Sequence, residues 1–422
     1  MTAELDWAQL MEIVEEIRAT KLKSRAGRKP HLRALIGAVI FMATRRMTYR
    51  EAEDQIRHYG PARYLCGLTE CNWTPDFTTI QDFVQLLGDE GMRRLNEYVL
   101  GRAVEESFAD PSVLVADTTA QEAAIPYPNE VGLMTSFITA LTATCHKGGR
   151  VLRDLLATTQ SDVAVFARKA REYRLFAKSK EVRNRAVGRL SRIAARIHKK
   201  LGKVLEADDL EPSHVTRKLA QLHLTMDKLL PQIRSWLSTG RVSKGKIISM
   251  YCPELYSIVR GKIGKKVEFG LKWGILRVAG GYLWSRGPGT KNFNDKNHAL
   301  EAVKDHVSLF GRAPRIYAYD RGGYSPNNVL KIKERGVKQV GVAPTGRSRS
   351  TLGPRIKKRV IQERCRIEGS IGALKRSRYD FHRPSAKSTK MIATCGQRAI
   401  LGLNLNKLIR DCARRDETAL VG

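Results

Sequence analysis

Apolar residues recur at helical spacing throughout the first hundred residues. This pattern predicts an amphipathic helix over residues 4–20 and further helices in LRALIGAVIFMATRR, TYREAEDQIRHYG and TTIQDFVQLLG. Thr48 and Glu51, three residues apart, are typical of a capping box at a helix start. Short capped helices beside the basic segment 21–33 favour a helix-turn-helix-like DNA-binding domain over residues 1–105, although a plain helical bundle would show the same pattern.

After this region the spacing of apolar residues changes to that of β-strands. PSVLVAD predicts a buried strand that ends at Asp117, and RIYAYD predicts another that ends at Asp320. Two strands flank the hairpin signal Gly280-Gly281, and VKQVGVAP predicts one more. Helices are predicted after the hairpin and over residues 359–378. This alternation predicts an α/β domain over residues 106–415.

A long, basic helical insertion is predicted within that domain, over residues 160–245. Its apolar residues fall at steps of three and four: Val182, Ala186, Leu190, Ile193, Ile197, Leu201 and Val204. Between Arg168 and Lys203 there are 14 Lys or Arg and two Glu. Because a solvated helix face normally mixes charge signs, this segment indicates a helical hairpin that lies along a phosphate backbone. Its turn is predicted at Asp208, Asp209 and Glu211.

Composition narrows the classes of function. Lys and Arg number 75 against 42 Asp and Glu, which gives a net charge of +33 and indicates a polyanion-binding protein, although a merely basic surface is the alternative. The seven Cys include no CxxC pair, so we expect reduced thiols. The N-terminal segment lacks the pattern of a signal peptide, and no apolar run is long enough to cross a bilayer. We therefore expect a soluble, intracellular protein with no membrane partner.

The two strands that end in aspartate suggest a metal site. If they are neighbours, Asp117 and Asp320 lie side by side, which is unfavourable unless a cation neutralises them. Mg²⁺ typically binds one or two carboxylates together with substrate phosphates. A basic protein with such a pair is therefore expected to carry out metal-assisted phosphodiester chemistry. A turn or helix cap remains the simpler interpretation of either aspartate alone.

The helix predicted over residues 359–378 adds a third carboxylate. Arg364, Glu368 and Lys375 lie at offsets of −4, 0 and +7, so they share one helix face. Glu368 would complete the metal site while Arg364 and Lys375 hold phosphates. An ordinary surface ion pair is the alternative for this helix, and Glu363 is the competing carboxylate.

Together these motifs resemble those of bacterial insertion-sequence DDE transposases. Asp117-Thr118 with the later Tyr127-Pro128, the string Asp320-Arg321-Gly322-Gly323-Tyr324, and Arg364-x3-Glu368-x6-Lys375 resemble the three catalytic motifs of that family. Val267-Glu268-Phe269-Gly270 and the pattern of GRKP, TYREAE and TPDFTTI are similar to further family segments. The resemblance covers roughly residues 25–410. Ile361 departs from it, because related members have a Tyr three residues before the Arg.

The resemblance implies an RNase H-like catalytic core and two divalent cations, Mg²⁺ or Mn²⁺, held by Asp117, Asp320 and Glu368. It implies an endonuclease and strand-transfer enzyme of a mobile element, located at the nucleoid in the bacterial cytoplasm. The expected partners are double-stranded DNA, as terminal inverted repeats and as target, and a second copy of the chain. Two metals can activate an attacking oxygen and stabilise the leaving one, so no covalent protein–DNA intermediate is expected.

Two further residues are candidates for DNA contact. Arg321, beside the second aspartate, is predicted to bind phosphate, with a surface role as the alternative. Trp284 follows a strand and is a candidate for stacking on an extruded base, with a core position as the alternative. For the whole chain, the alternatives are a non-catalytic DNA-binding protein derived from a transposase and an RNase H-like nuclease without strand transfer. No GxxxxGKS motif indicates an ATP-dependent motor.

Overall fold

The computed structural model describes residues 4–22, 29–207, 213–259, 267–291, 293–344 and 352–421. Its helices are α1 Trp7–Lys21, α2 Leu32–Thr44, α3 Tyr49–His58, α4 Gly60–Leu65, α5 Phe77–Glu105, α6 Glu130–Cys145, α7 Arg150–Phe176, α8 Lys180–Glu206, α9 His214–Thr239, α10 Asp295–Phe310, α11 Pro326–Glu334, α12 Pro354–Leu374 and α13 Thr389–Val421. Its strands are β1 Asp110–Glu122, β2 Tyr256–Val259, β3 Val267–Ala279, β4 Leu283–Trp284, β5 Ile316–Ala318 and β6 Gln339–Gly341. The predicted α/β class is confirmed.

The chain divides into two compact units, each with its own apolar core. The first comprises Met1–Ala123 and Leu271–Gly422, and the second comprises Ala124–Gly270. None of the helices in the described ranges is long and apolar enough to span a membrane.

The sheet of the first unit carries its strands in the order β3-β1-β5-β6. β1 is parallel to β5, with Val113 opposite Ile316, and β5 is parallel to β6. β4 pairs antiparallel with β3 across Gly280-Gly281, as the hairpin signal predicts. The parallel strands β1, β5 and β6 direct their carboxyl ends to the same edge of the sheet.

β1 does not end at Asp117, in contrast to the prediction. It continues to Glu122, and its last four residues are buried. Gln121 is tolerated there because its amide hydrogen bonds are made: Oε1 accepts from Nε1 of Trp273 at 2.8 Å, and Nε2 donates to the carbonyl of Ile392 at 2.9 Å. Asp117 therefore lies within β1, two residues beyond the last position that pairs with β5.

The N-terminal helices and the sheet of the first unit share one core. Asn96 on α5 donates to the carbonyl of Leu283 on β4 at 3.1 Å, and Asn404 on α13 donates to Oδ1 of Asn96 at 2.7 Å. All three residues are buried. The capping box of Thr48 and Glu51 is present at the start of α3. The helices α1 to α5 of the region predicted to bind DNA therefore contribute to the same apolar core as the sheet.

The second unit is a helical bundle with a short β-ladder. Helices α6, α7, α8 and α9 form its core, and β2 pairs antiparallel with the first residues of β3. Leu190, Ile193, Ile197 and Leu201 of α8 are buried, as their spacing predicts. The helical region begins at Glu130, earlier than the predicted residue 160. The predicted turn at Asp208, Asp209 and Glu211 lies outside the described residues.

Candidate functional site

Asp117 and Asp320 occupy corresponding positions on neighbouring parallel strands. The β1–β5 register ends with Val115 opposite Ala318, two residues before Asp117 on β1 and two residues before Asp320, which follows β5. Both aspartates lie close enough to Tyr319 for their charges to raise the pKa of its hydroxyl. Asp117 accepts a hydrogen bond at Oδ1 from the backbone N–H of Thr118 at 2.7 Å. The pair predicted from the sequence is therefore brought together.

Asp320 is placed by the end of β5 and by the turn that follows. It precedes a single 3-10 turn, Arg321–Gly323, and its backbone is extended. Its Oδ1 atom is buried and has no hydrogen-bond partner among the described residues. A buried carboxylate oxygen without a partner is unfavourable, and a bound cation relieves that penalty.

Asp295, the first residue of α10, is a third carboxylate at this edge of the sheet. A Cβ at Gly322 would lie 3.1 Å from Oδ1 of Asp320 and 3.2 Å from Oδ2 of Asp295, so both carboxylates border this glycine. Oδ1 of Asp295 accepts from Nζ of Lys272 at 2.8 Å and from the Thr118 hydroxyl at 2.9 Å. Asn294 provides the helix cap, which leaves the Asp295 carboxylate free for these contacts.

The electrostatics of this cluster favour an ionised Asp295. Burial opposes ionisation, but the hydrogen bond and charge of Lys272 outweigh it and hold the pKa of Asp295 below its ordinary value. Beneath the cluster, burial raises the pKa of Tyr319 well above its usual range, and the nearby carboxylates, Asp117 among them, raise it further. Tyr319 therefore stays protonated, and its hydroxyl is hydrogen bonded to Nδ1 of His298 at 2.9 Å.

Glu368, the predicted third ligand, lies on α12. It is exposed on α12, between Glu363 and Ser370, which both contact Arg277. Its role as a metal ligand stays a prediction.

The two cations predicted to flank Glu368 are also on α12. Arg364 is half-buried, and Lys375, also half-buried, caps the helix at its C-terminal end. The helix spans 354–374, slightly earlier than the predicted 359–378. Their shared face with Glu368 therefore stays a prediction about DNA contact.

The competing carboxylate, Glu363, is engaged in a buried ion pair. Its Oε2 accepts from Arg277 at 2.5 Å and its Oε1 accepts from Arg366 at 2.5 Å. Glu363 and Arg277 are both buried, whereas Arg366 is exposed. With both oxygens occupied by guanidinium groups, Glu363 serves to hold α12 on β3.

The remaining two predicted residues differ in accessibility. Arg321 is exposed directly after Asp320, a position open to a phosphate. Trp284 is only 5% exposed, and its Nε1 donates to Oε1 of Glu97 at 3.0 Å. Its ring is covered by the core of the first unit, so the base-stacking prediction is wrong for this conformation and the core alternative holds.

A basic depression lies at the Arg277 end of the sheet. It has a volume of about 670 Å³ and borders Gly280-Gly281, which lie close to Phe108 and Lys407 respectively. Six cationic residues line it: Arg277, Arg366, Arg376, Arg378, Lys407 and Arg410. Such a concentration of guanidinium groups suits phosphate oxygens.

In the second unit, the polar face of α8 is dominated by exposed cations. They include Arg183, Arg185, Arg189, Arg192, Arg196, Lys199 and Lys203. Two segments that resemble the transposase family also meet in this unit. The rings of Tyr127 and Phe269 are in edge contact, with their centroids 5.6 Å apart.

The donor set at the Asp117–Asp320 edge fits a hard divalent cation. Two neighbouring carboxylates, one with a buried oxygen that lacks a described partner, are ligands of the kind that Mg²⁺ and Mn²⁺ prefer. Among the described residues, Asp117, Asp320 and Asp295 do not form a group whose ligand atoms all lie within 4.8 Å of one another.

Comparison with known proteins points to one family. Residues 1–86 match the family model described as Transposase domain (DUF772). Searches of curated proteins and of solved structures returned no match. The matched segment spans α1 to α4 and the first part of α5, the region predicted to bind DNA. The match covers 86 of the 422 residues and supports a transposase family for that part of the chain.

Proposed function

We propose that the protein is a DDE transposase with an RNase H-like catalytic core. The observation that supports the proposal most is the parallel pairing of β1, which contains Asp117, with β5, which ends two residues before Asp320. The mixed sheet, with α12 packed across β1, β5 and β6, supports the fold assignment. The domain match over residues 1–86 supports the family.

The proposed reaction has two steps. Water hydrolyses a phosphodiester at the end of the element and releases a 3′-OH, which then attacks a phosphate of the target strand and displaces its 3′ oxygen. Asp117 and Asp320 would hold Mg²⁺ or Mn²⁺. When bound, two such ions supply charge neutralisation and Lewis-acid activation.

Neighbouring side chains would orient this site. Lys272 and Thr118 hold the Asp295 carboxylate beside Asp320, so this third carboxylate contributes negative charge without a change in conformation. Arg321, exposed after Asp320, is proposed to bind a phosphate of the cleaved strand.

Glu368 is proposed as the third metal ligand on the strength of its motif, together with Arg364 and Lys375 as phosphate contacts. Its exposure on α12 leaves the carboxylate accessible to an ion, and the buried Glu363–Arg277 pair holds the helix on β3.

Positive charge on the whole chain, in one depression and along one helix supports DNA binding. The chain carries a net charge of +33, the depression near Arg277 has six cationic residues, and α8 exposes a row of Arg and Lys. We propose that the partners are double-stranded element ends and target DNA, bound by a homodimer that holds two ends together.

Cleavage of the protein's own element ends tests the proposal. The full chain is incubated with a duplex that carries the inverted repeats flanking its gene, in Mg²⁺, in Mn²⁺ and in EDTA. We expect a metal-dependent nick that leaves a 3′-OH at the repeat, followed by joining of that end to a plasmid. Tight binding of these ends without cleavage in either metal would favour the non-catalytic DNA-binding alternative, and cleavage without joining would favour the nuclease.

A further inference from the structure

Two histidines and an aspartate meet where α8 packs on α9 in the second unit. Nε2 of His198 lies 3.3 Å from Oδ1 of Asp227, and Nε2 of His223 lies 3.6 Å from Oδ2 of the same residue. One candidate ligand atom from each of the three residues lies within 4.8 Å of the other two. Among the described residues, this is the only group of three or more His, Cys, Asp or Glu side chains with such spacing.

We propose that His198, His223 and Asp227 form a zinc site that ties α8 to α9. Bond lengths of about 2.0–2.2 Å to nitrogen and oxygen place neighbouring ligands of a tetrahedral Zn²⁺ about 3.3–3.5 Å apart. The two observed nitrogen–oxygen separations are close to that spacing. Imidazole ligands favour Zn²⁺ over Mg²⁺, so the site is chemically distinct from the aspartate pair of the first unit.

The surroundings of the cluster suit a three-ligand site with one open position. The side chains of His198 and His223 are 11% and 23% exposed, whereas that of Asp227 is 51% exposed. Solvent therefore reaches the cluster from the Asp227 side and can provide the fourth ligand, as in other zinc sites with three protein ligands.

Packing places His223 against α8. A Cβ at Gly202 would lie 2.9 Å from Cε1 of His223, so this glycine leaves room for the ring. Nδ1 of His223 is buried and has no hydrogen-bond partner among the described residues. The ring is therefore not held in place by a described hydrogen bond at this nitrogen.

Zinc binding requires a small change in ring orientation. The two imidazoles are stacked, with centroids 4.1 Å apart and planes 15° from parallel, and Nε2 of His198 also contacts the carbonyl of His223 at 3.2 Å. Because each nitrogen lone pair lies in its ring plane, the rings must splay towards the ion. This is a rotation about χ2, which has a broad energy minimum in histidine.

The consequence is a cross-link between the basic helix α8 and its neighbour. His198 comes from α8, while His223 and Asp227 lie one turn apart on α9. An ion shared by the two helices would stabilise the folded second unit, because binding to the native state alone adds to the free energy of unfolding.

The test measures zinc bound to the full-length protein after dialysis, together with the melting temperature. We expect one Zn²⁺ per chain at this site, a melting temperature raised by a few degrees in zinc but not in Mg²⁺, and the visible absorption of tetrahedral Co²⁺ after exchange. His223→Ala and Asp227→Asn should each lose that ion and that shift. Asp227 is half-exposed, so its variant keeps the fold even if His223→Ala does not.

The matched control is His214→Ala, which removes an exposed histidine from the same helix, α9, and should leave zinc binding unchanged. Two results would overturn the proposal. The first is the absence of zinc binding by the wild-type protein. The second is equal zinc content in wild type, His223→Ala and Asp227→Asn, which would place the ion on other ligands such as the cysteines.

Discussion

At the scale of single residues, His298 should make the stability of the protein depend on pH. It is 3% exposed, and burial lowers its pKa to about 4, below the ordinary value near 6.5. Between these two values the unfolded chain binds a proton that the folded chain does not. The free energy of unfolding therefore falls as pH drops from about 6.5 to about 4, by roughly 3 kcal/mol from this residue.

His298→Gln tests this directly. Urea unfolding midpoints measured from pH 7 to pH 4 should show a lower overall stability but a flatter pH dependence than wild type. The exposed His146→Gln should retain the wild-type slope. An unchanged slope in His298→Gln would show that the histidine titrates normally in the folded state.

Glu363 and Glu368 should behave in opposite ways. Glu363→Gln leaves Arg277 buried without its anionic partner, which should destabilise the protein by about 3 kcal/mol. Glu368→Gln is an exposed change and should alter the free energy of unfolding by less than about 0.5 kcal/mol. If Glu368 is the third ligand, its variant loses cleavage while folded Glu363→Gln protein retains it. Full cleavage by Glu368→Gln would rule out that role.

The sequence predicts some site residues better than others. Asp117 and Asp320 could be paired because each closes an apolar run, and strand pairing carries that local pattern into space. Asp295 could not, since its contacts with Lys272 and Thr118 depend on tertiary packing and its position at a helix start has a simpler explanation. The burial of Trp284 also follows from packing that the local sequence does not specify.

At the scale of elements, α8 should contribute to DNA affinity through its exposed cations. Arg185, Arg189 and Arg192 lie on one face of the helix and are exposed. Replacement of all three by Gln should weaken DNA binding and reduce the slope of log affinity against log salt by about 2–3, since each phosphate contact contributes about 0.9. Fluorescence anisotropy with a labelled duplex at several salt concentrations measures both quantities.

A control with the same change in net charge separates contact from general attraction. Lys331, Lys333 and Lys338 are exposed cations on and just after α11. Their replacement by Gln should change the salt slope less than the α8 variant does. Equal effects of the two triple variants would contradict a specific role for α8.

Element types were more predictable than element ends. The apolar spacing in α8 and the glycine pair of the hairpin are local signals, and both elements form as predicted. The predicted end of β1 is wrong because Thr119, Ala120 and Gln121 lack the apolar pattern of a buried strand. Hydrogen bonds to distant residues make the burial of Gln121 acceptable.

At the scale of the whole molecule, the sequence does not predict where the N-terminal helices pack. The hydrogen bonds among Asn96, Leu283 and Asn404 join α5, β4 and α13, which are far apart in the chain. Such contacts cannot be inferred from periodicity. The region proposed to bind DNA therefore shares one apolar core with the sheet that contains Asp117.

The central claim is that Asp117 and Asp320 hold the ions used to cut DNA, and the cleavage rate of Asp320→Ala tests it most directly. The variant is compared with wild type and with Asp154→Ala, an exposed aspartate on α7, at equal occupancy of element-end DNA in Mg²⁺. We predict a loss on the order of 10³-fold or more for Asp320→Ala, with DNA binding retained and with wild-type cleavage by Asp154→Ala. Cleavage by Asp320→Ala at the wild-type rate would contradict the account.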